Sequence, residues 1–336
     1  MITNKTDNKK ANKTANKNMT GKNKIMVTGS SGTIGTRLCE MLLEKGYEVV
    51  GLDSRPNQWK PEIDKITAKA DMLDAGAFDR LPASAKDGIG TVIHLGANAL
   101  VYPLVVEPGK AMDNMLMTFN ALEFARKSGI KRFIFGSSRE VYGNAVPAGS
   151  PDGIVRKEED AGVEGSESPY AATKLAGEAL VRAYQQCYAI DFIIIRFSNV
   201  YGMYDASDRL VPRSIRRAKE GQELEVYGKD KMLDFTYIDD SVGGVVAAVE
   251  RFGEAKNQAY NLATGEGTTI LSVVEKINEL FGNKSKINVT GSRPGEVIKY
   301  VADISKARQA LGYEPSVGIE EGIRRSVEWY AKNGLA

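Results

Sequence analysis

A glycine-punctuated turn between a short apolar strand and an amphipathic helix constrains this chain more than any other feature. The run is Val27-Thr28-Gly29-Ser30-Ser31-Gly32-Thr33-Ile34-Gly35. It follows the apolar stretch Ile25–Val27 and opens a segment in which Ile34, Leu38, Met41 and Leu42 recur at helical spacing. Glycines at these positions let the backbone pass close to a pyrophosphate, and the start of the helix offers unpaired N–H groups at the positive end of its dipole. The next apolar stretch, Val49-Val50-Gly51-Leu52, ends at Asp53. A carboxylate there accepts hydrogen bonds from an adenosine ribose, which favours NAD over NADP. No arginine follows that stretch directly; Arg55 stands two residues on. Glycine turns also occur without ligands, but strand, glycines, helix, strand and acid in this order point to a dinucleotide site.

Apolar strand-like runs alternate with helical patterns through the first two-thirds of the chain. Strands are expected at Ile66–Ala70, Thr91–Leu95, Arg132–Phe135 and Phe192–Phe197, with helices over roughly Ala111–Ser128 and Tyr170–Tyr188. This alternation predicts an α/β fold, a doubly wound parallel sheet with helices on both faces. Ligands of such sheets bind beyond the carboxyl ends of the strands. Asp71, His94, Ser137, Ser138 and Asn199 each fall at or just after an expected strand end and should meet in one crevice. Asn144–Ser168, rich in Pro, Gly and acids, reads as a functional surface loop. Beyond Tyr201 the pattern loosens into a smaller substrate-facing lobe.

The predicted division is a disordered basic tail over 1–23, a dinucleotide-binding unit over 24–200 to which segments around 234–262 return, and a mainly substrate-binding lobe over 201–336. Residues 1–24 hold seven Lys and one Asp, so the chain's net charge of +2 is a tail effect and the remainder is acidic. That gives no case for a nucleic-acid surface. No apolar run approaches the ~20 residues of a membrane span, and the N-terminus has no secretory pattern. Cys39 and Cys187, the only cysteines, are expected to be reduced packing residues of a cytoplasmic protein. No metal site is expected.

The chemistry concentrates in Ser168-Pro169-Tyr170-Ala171-Ala172-Thr173-Lys174. Ser168 can cap a helix and Pro169 suits its first turn. Tyr170 and Lys174, four apart, share a face. A neighbouring ammonium favours tyrosinate and lowers the phenol pKa, which makes a tyrosine a workable general base. A serine at Ser137 or Ser138 can bridge the tyrosine and a substrate oxygen. His94, the only histidine, reads as a structural residue satisfying backbone groups.

With these segments together, the chain resembles the extended short-chain dehydrogenase/reductase family, and within it the NAD-dependent nucleotide-sugar epimerases and dehydratases, in a UDP-glucose 4-epimerase-like form. The resemblance rests on the glycine run, Asp53, Asp71-Met72, His94-Leu95-Gly96-Ala97, Ser137-Ser138 before Val141-Tyr142-Gly143, and Tyr170 with Lys174. It continues through Arg196–Gly202, Asp234–Asp240, Tyr260–Gly265 and Arg293-Pro294-Gly295-Glu296. It implies a Rossmann-type sheet and NAD as cofactor. Gly29, Gly32, Thr33, Ile34 and Gly35 would line the pyrophosphate, Asp53 the ribose, Asp71 and Met72 the adenine, and Leu95, Gly96 and Ala97 the rest of the cofactor with Tyr170 and Lys174. Ser138, Tyr170 and Lys174 would be catalytic. Ser138, Glu140, Asn199, Arg293 and Glu296 would contact a nucleotide-sugar substrate, and the resemblance suggests a homodimer.

Two positions depart from the commonest epimerase pattern. Glu140 stands two residues after Ser138, as in the family's dehydratases and uronate decarboxylases, although those dehydratases usually carry an acid where this chain has Arg139. Leu233 stands where an arginine usually helps hold the pyrophosphate, so Arg209 or Arg213 would compensate. The leading expectation is C4 epimerisation of a UDP-hexose or UDP-hexuronate through a 4-keto intermediate. The alternatives are a decarboxylase or 4,6-dehydratase using Glu140, and a non-catalytic NAD-binding sensor.

Overall fold

The computed structural model describes residues 24–145 and 154–334. The basic tail and the middle of the loop 144–168 lie outside the described residues. The strands are β1 (Lys24–Thr28), β2 (Glu48–Asp53), β3 (Thr67–Lys69), β4 (Ile89–His94), β5 (Arg132–Ser138), β6 (Val155–Arg156) and β7 (Asp191–Phe197). They continue with β8 (Asn199–Tyr201), β9 (Leu224–Tyr227), β10 (Met232–Tyr237), β11 (Gln258–Leu262), β12 (Gly267–Thr269), β13 (Ile287–Thr290) and β14 (Lys299–Ala302). Four helices carry the argument: α1 (Thr33–Glu44), α2 (Gly109–Lys127), α3 (Pro169–Tyr188) and α4 (Ile238–Glu250).

Seven strands form one sheet in the order β11-β7-β5-β4-β1-β2-β3, and every neighbouring pair is parallel. The order reverses between β1 and β4, where a doubly wound sheet opens a crevice at its carboxyl edge. Strand alternation sorts the side chains onto two faces. Ile25, Val27, Ile93 and Ile134 join one buried cluster with Leu38 and Leu42 of α1 and Val245 of α4. Met26, Val92, Phe133 and Phe135 join the other with Leu122 and Ala125 of α2 and Val181 of α3. Each large aliphatic side chain so buried contributes about 1.5–3 kcal/mol. Among the described residues, no helix is long and apolar enough to cross a membrane.

A second sheet joins β12, β10, β14 and β6, with β8 paired to β10. It stands beside the crevice and draws on segments from before and after residue 200. β9 and β13 make a separate pair.

Two local expectations need revision. β5 runs on through Gly136, Ser137 and Ser138 rather than ending at Phe135, because these residues pair with Ile195, Arg196 and Phe197 of β7. Cys39 is buried as expected, but Cys187 is exposed near the end of α3.

Candidate active site

The cofactor half of the site is built from backbone. Gly29 follows β1 with φ +74°, a conformation L side chains rarely adopt, and a Cβ there would lie 2.8 Å from the Gly96 nitrogen. Gly35 is equally constrained, since its Cβ would lie 2.0 Å from the Gly29 carbonyl oxygen. The turn therefore packs against the segment after β4 with no room for a methyl group. Gly32 stands at the N-cap of α1 and, having no side chain, offers its first turn no cap, so N–H groups there are left without a helix partner. Thr33 Oγ1 donates to the Tyr204 carbonyl at 3.1 Å, which ties the helix start to the segment after β8.

Asp53, at the end of β2, accepts from the backbone N–H groups of Ser31 at 3.1 Å and Arg55 at 2.9 Å. Its carboxylate is thereby fixed beside the glycine turn. The Arg55 guanidinium is mostly exposed and lies 3.7 Å from it. Met72 is buried beneath Gly96, where an added Cβ would meet the methionine methyl at 2.1 Å. Asp71 is exposed and accepts from the Leu73 N–H. Gly29, Gly96 and Met72 are thus contiguous, with Leu95 bonded through its N–H to the Thr28 carbonyl. A cradle from which Cβ atoms are excluded, with helix N–H groups at one end and a fixed carboxylate at the other, fits NAD.

The reacting half depends on the close approach of α3 to the sheet. Ser168 caps this helix by accepting from the Ala171 N–H at 3.2 Å, and Pro169 follows it. Gly177 lets the helix descend onto Phe135, whose ring would lie 2.4 Å from any Cβ at that position. Tyr170 and Lys174 consequently face the end of β5, both buried. The Ser138 hydroxyl neighbours the Tyr170 phenol closely enough to favour its ionised form, and it accepts from the Glu140 N–H at 3.2 Å.

The expected electrostatics of this pair require correction. Lys174 Nζ donates to the Gly136 carbonyl at 2.7 Å and sits 5.8 Å from the Tyr170 ring centroid. It does not reach the phenol oxygen. Burial pushes the Tyr170 phenol above its ordinary value, opposed by the neighbouring Ser138 hydroxyl and the charges of Arg209 and Arg139. Burial likewise pushes Lys174 down to about 8, opposed by Glu178. The groups favouring tyrosinate are therefore Ser138, Arg209 and Arg139, and Glu140 opposes them.

Ser137 and Ser138 take opposite sides of β5. Ser137 donates to Glu178 Oε1 at 2.6 Å. Glu178 is paired with Arg196 through bonds of 2.9 and 2.7 Å, and Arg196 also donates to Tyr142 Oη and the Glu158 carbonyl. Tyr142 in turn donates to Asn261 Oδ1 at 2.6 Å. His94 is placed between two threonines, with Nδ1 2.7 Å from Thr28 Oγ1 and Nε2 3.2 Å from Thr118 Oγ1. Burial first, then the Lys174 charge, holds it down to about 3, so it is neutral. Its role is structural, but its partners are side-chain hydroxyls within the core rather than the expected backbone groups.

On the Ser138 side, Arg139 Nη2 lies 2.8 Å from Glu140 Oε1 and Arg139 Nε donates to Asn199 Oδ1 at 3.2 Å. Asn199 donates onward to the Asp234 carbonyl, so its side chain is already engaged. Glu296 accepts from Lys231, which is buried, and from the Arg293 N–H at 3.3 Å. Burial raises the Glu140 pKa; Arg139 and Lys231 oppose this, while Glu296 and Glu167 reinforce it. The Arg293 guanidinium stacks on Tyr227 with its centre 3.5 Å from the ring and lies 4.8 Å from Tyr102. Arg213 lies 5.6 Å from the same Tyr227 ring. Burial and the neighbouring Arg293 charge both lower its pKa, so two cations crowd one aromatic ring. Arg209 donates to the Ala99 carbonyl at 3.3 Å and lies 3.6 Å from Asp205. Leu233 is buried. Lys231, Tyr102 and Tyr227 were not marked by any sequence pattern; only position relative to Arg293 and Glu296 reveals them.

Comparison with known proteins agrees with this architecture. A family described as the NAD dependent epimerase/dehydratase family matches residues 25–263. A UDP-glucuronate 4-epimerase of Thermodesulfobacterium geofontis is 32% identical over 321 residues, covering 92% of this chain and 96% of that protein. A dTDP-glucose 4,6-dehydratase of Escherichia coli is 29% identical over 341 residues, covering 92% and 93% respectively. Among solved structures, a UDP-glucose 4-epimerase of Thermotoga maritima with UDP-glucose superimposes with a TM-score of 0.82 at 29% identity, covering 92% of this chain and 99% of the other.

Proposed function

Because this chain belongs to the NAD dependent epimerase/dehydratase family, we propose that it inverts C4 of a UDP-linked hexose or hexuronate through a 4-keto intermediate. The observation that carries the reading is the placement of Tyr170, buried beside Ser138 at the carboxyl end of β5, next to a glycine cradle that fits NAD. Bound NAD supplies a hydride acceptor and donor. The proton falls to the chain. Tyr170 takes it from the 4-hydroxyl and later returns it, with Ser138 bridging the phenol and the sugar oxygen. Ser138 and Arg209 favour the tyrosinate that this step needs, and Lys174 holds the end of β5 through the Gly136 carbonyl. Arg293 with Arg209 or Arg213 would hold the diphosphate, since Leu233 offers no charge there.

A decarboxylase or dehydratase reading draws on one observation, the buried Glu140 close to Tyr170. Its ion pair with Arg139 argues against it, because an acid-base group for elimination must be free to give and take a proton. Incubation of the purified, NAD-loaded protein with a panel of UDP- and dTDP-sugars decides between them. A product of unchanged mass and inverted C4 is expected. Loss of water or carbon dioxide would replace the epimerase reading, and tight NAD binding without turnover of any sugar would revive the sensor.

A homodimer is part of the proposal. Met112, Leu116 and Phe119 are exposed at positions three and four apart on α2, an apolar stripe suited to a helical seam. Sedimentation at the mass of a single chain, unchanged by concentration, would remove it.

A further inference from the structure

The Arg139–Glu140 pair is closed on one side and unfinished on the other. Arg139 spends Nη2 on Glu140 Oε1 and Nε on Asn199. Arg139 Nη1 and Glu140 Oε2 are both shut off from solvent, and neither has a hydrogen-bond partner among the described residues. As whole residues both are more than nine-tenths buried. Leaving such groups unmet is costly, and more so when they are charged. The two orphaned atoms belong to one ion pair, and that pair stands next to the reacting group. The Glu140 N–H donates to the Ser138 hydroxyl, which neighbours the Tyr170 phenol. Both Arg139 and Glu140 are close enough to the phenol to bias its ionisation.

The complement of an orphaned N–H and an orphaned carboxylate oxygen is a group that accepts and donates at once. A hydroxyl does both; a carboxylate only accepts. A substrate carboxylate could take the Arg139 proton but would set its own lone pairs against Glu140 Oε2, with Glu296 and Glu167 adding like charge nearby. If Ser138 and Tyr170 hold the 4-hydroxyl, a pair this close to them faces a substituent flanking C4. The one in which a hexose and a hexuronate differ is C6, reached through C5.

We propose that Arg139 and Glu140 form a specificity site for the C6 hydroxymethyl group, selecting a neutral UDP-hexose over a UDP-hexuronate. Arg139 donates to the C6 oxygen and Glu140 accepts its proton. The proposal rests on the 4-epimerase reading for the placement of the 4-hydroxyl. Since the pair is covered in the ligand-free chain, binding must turn one of the two side chains toward the sugar. A site built to hydrogen-bond a hydroxyl rejects a ligand that cannot complete the pairing far more strongly than an apolar pocket rejects a misfit.

The test separates selection from turnover. Dissociation constants for UDP-glucose and UDP-glucuronate are measured on the full, NAD-loaded Tyr170→Phe chain, which binds without reacting. UDP-glucose is expected to bind at least tenfold more tightly. Glu140→Gln in that background should shift the ratio at least tenfold toward UDP-glucuronate, because the amide offers a donor where the carboxylate offered only charge. Arg139→Lys, which keeps the charge but not the planar fork of separate N–H donors, should weaken UDP-glucose with a smaller effect on UDP itself. Thermal midpoints confirm that each variant is folded. A wild-type preference for UDP-glucuronate, or a ratio unmoved by Glu140→Gln, overturns the proposal. If the ratio behaves as expected but the native enzyme turns over neither sugar, the epimerase reading alone falls; if neither sugar binds, both fall.

Discussion

Ser137 and Ser138 are neighbours on one strand, yet they enter two buried charge networks of opposite character. On the Ser137 side, both Glu178 oxygens and every nitrogen of Arg196 are engaged, and the chain of bonds runs on through Tyr142 to Asn261. On the Ser138 side, the Arg139–Glu140 pair keeps an unused donor and an unused acceptor. Burial and charge are alike; completeness is not. A finished network holds two strands and a helix together, because its energy is spent within the fold. An unfinished one beside a reactive tyrosine retains bonding capacity for something that arrives later.

Variants that touch one side only can break this distinction. The largest effect belongs to Tyr170→Phe. It should lower turnover by about 10²–10⁴, the usual contribution of a general acid-base group, while leaving the unfolding midpoint and NAD affinity near wild type. Near-normal turnover, read by product stereochemistry, would end the proposed mechanism.

Glu178→Ala attacks the finished side. It strands the Arg196 charge in the core, for which a loss of about 3–5 kcal/mol is expected. Urea unfolding measures it, and a loss under 1 kcal/mol would show that the network is not holding the strands.

His94 gives a pH-dependent contrast. Its folded pKa, about 3, lies below the ordinary 6.5, so the unfolded chain takes up the proton first. Stability is therefore fully present above pH 6.5 and falls as pH drops toward 3, by about 1.4 kcal/mol per unit. Between pH 6.5 and 5 the wild type should lose about 2 kcal/mol more than His94→Asn. Parallel stability curves for the two proteins would mean that His94 is protonated in the fold.

Lys174 lies between the networks, one helical turn from each of Tyr170 and Glu178. With its pKa lowered to about 8, it is charged below that pH and neutral above. If the ammonium is required, kcat/KM falls about tenfold per pH unit on the alkaline side of 8. Lys174→Arg, whose charge persists, should push that limb upward. A limb that stays in place would belong to another group.

The cofactor half was legible because its constraints are local. Gly29, Gly32 and Gly35 are written within one turn, and the strands around them follow from alternation and the runs of Ile and Val. Ser168, Pro169, Tyr170 and Lys174 are readable for the same reason, being one helix start. What the residue pattern hid was burial. An ammonium four residues from a phenol lowers its pKa in water, but here the lysine turns to the Gly136 carbonyl and desolvation dominates. The charge cluster around Glu140 was hidden by distance along the chain, since Arg139, Glu167, Lys231 and Glu296 come from four separate segments. Lys231 follows a polar turn and carries no periodic signal, and the stacking of Arg293 on Tyr227 depends on how β9 is placed.

The position of β11 bears on how the chain is made. This strand closes the seven-stranded sheet against β7, whose Phe192, Ile193, Ile194 and Ile195 are buried. A ribosome that has released only the first two hundred or so residues presents β7 as an open, strongly apolar edge, a template for pairing with other chains. The sheet is completed only after the intervening segment, with β8, β9 and β10, has been synthesised. Nascent chains arrested before Gln258 should therefore depend on a chaperone for solubility, and chains arrested with β11 released should not. Pelleting assays on the two arrested forms would tell them apart, and equal solubility would show that the edge is protected by other means.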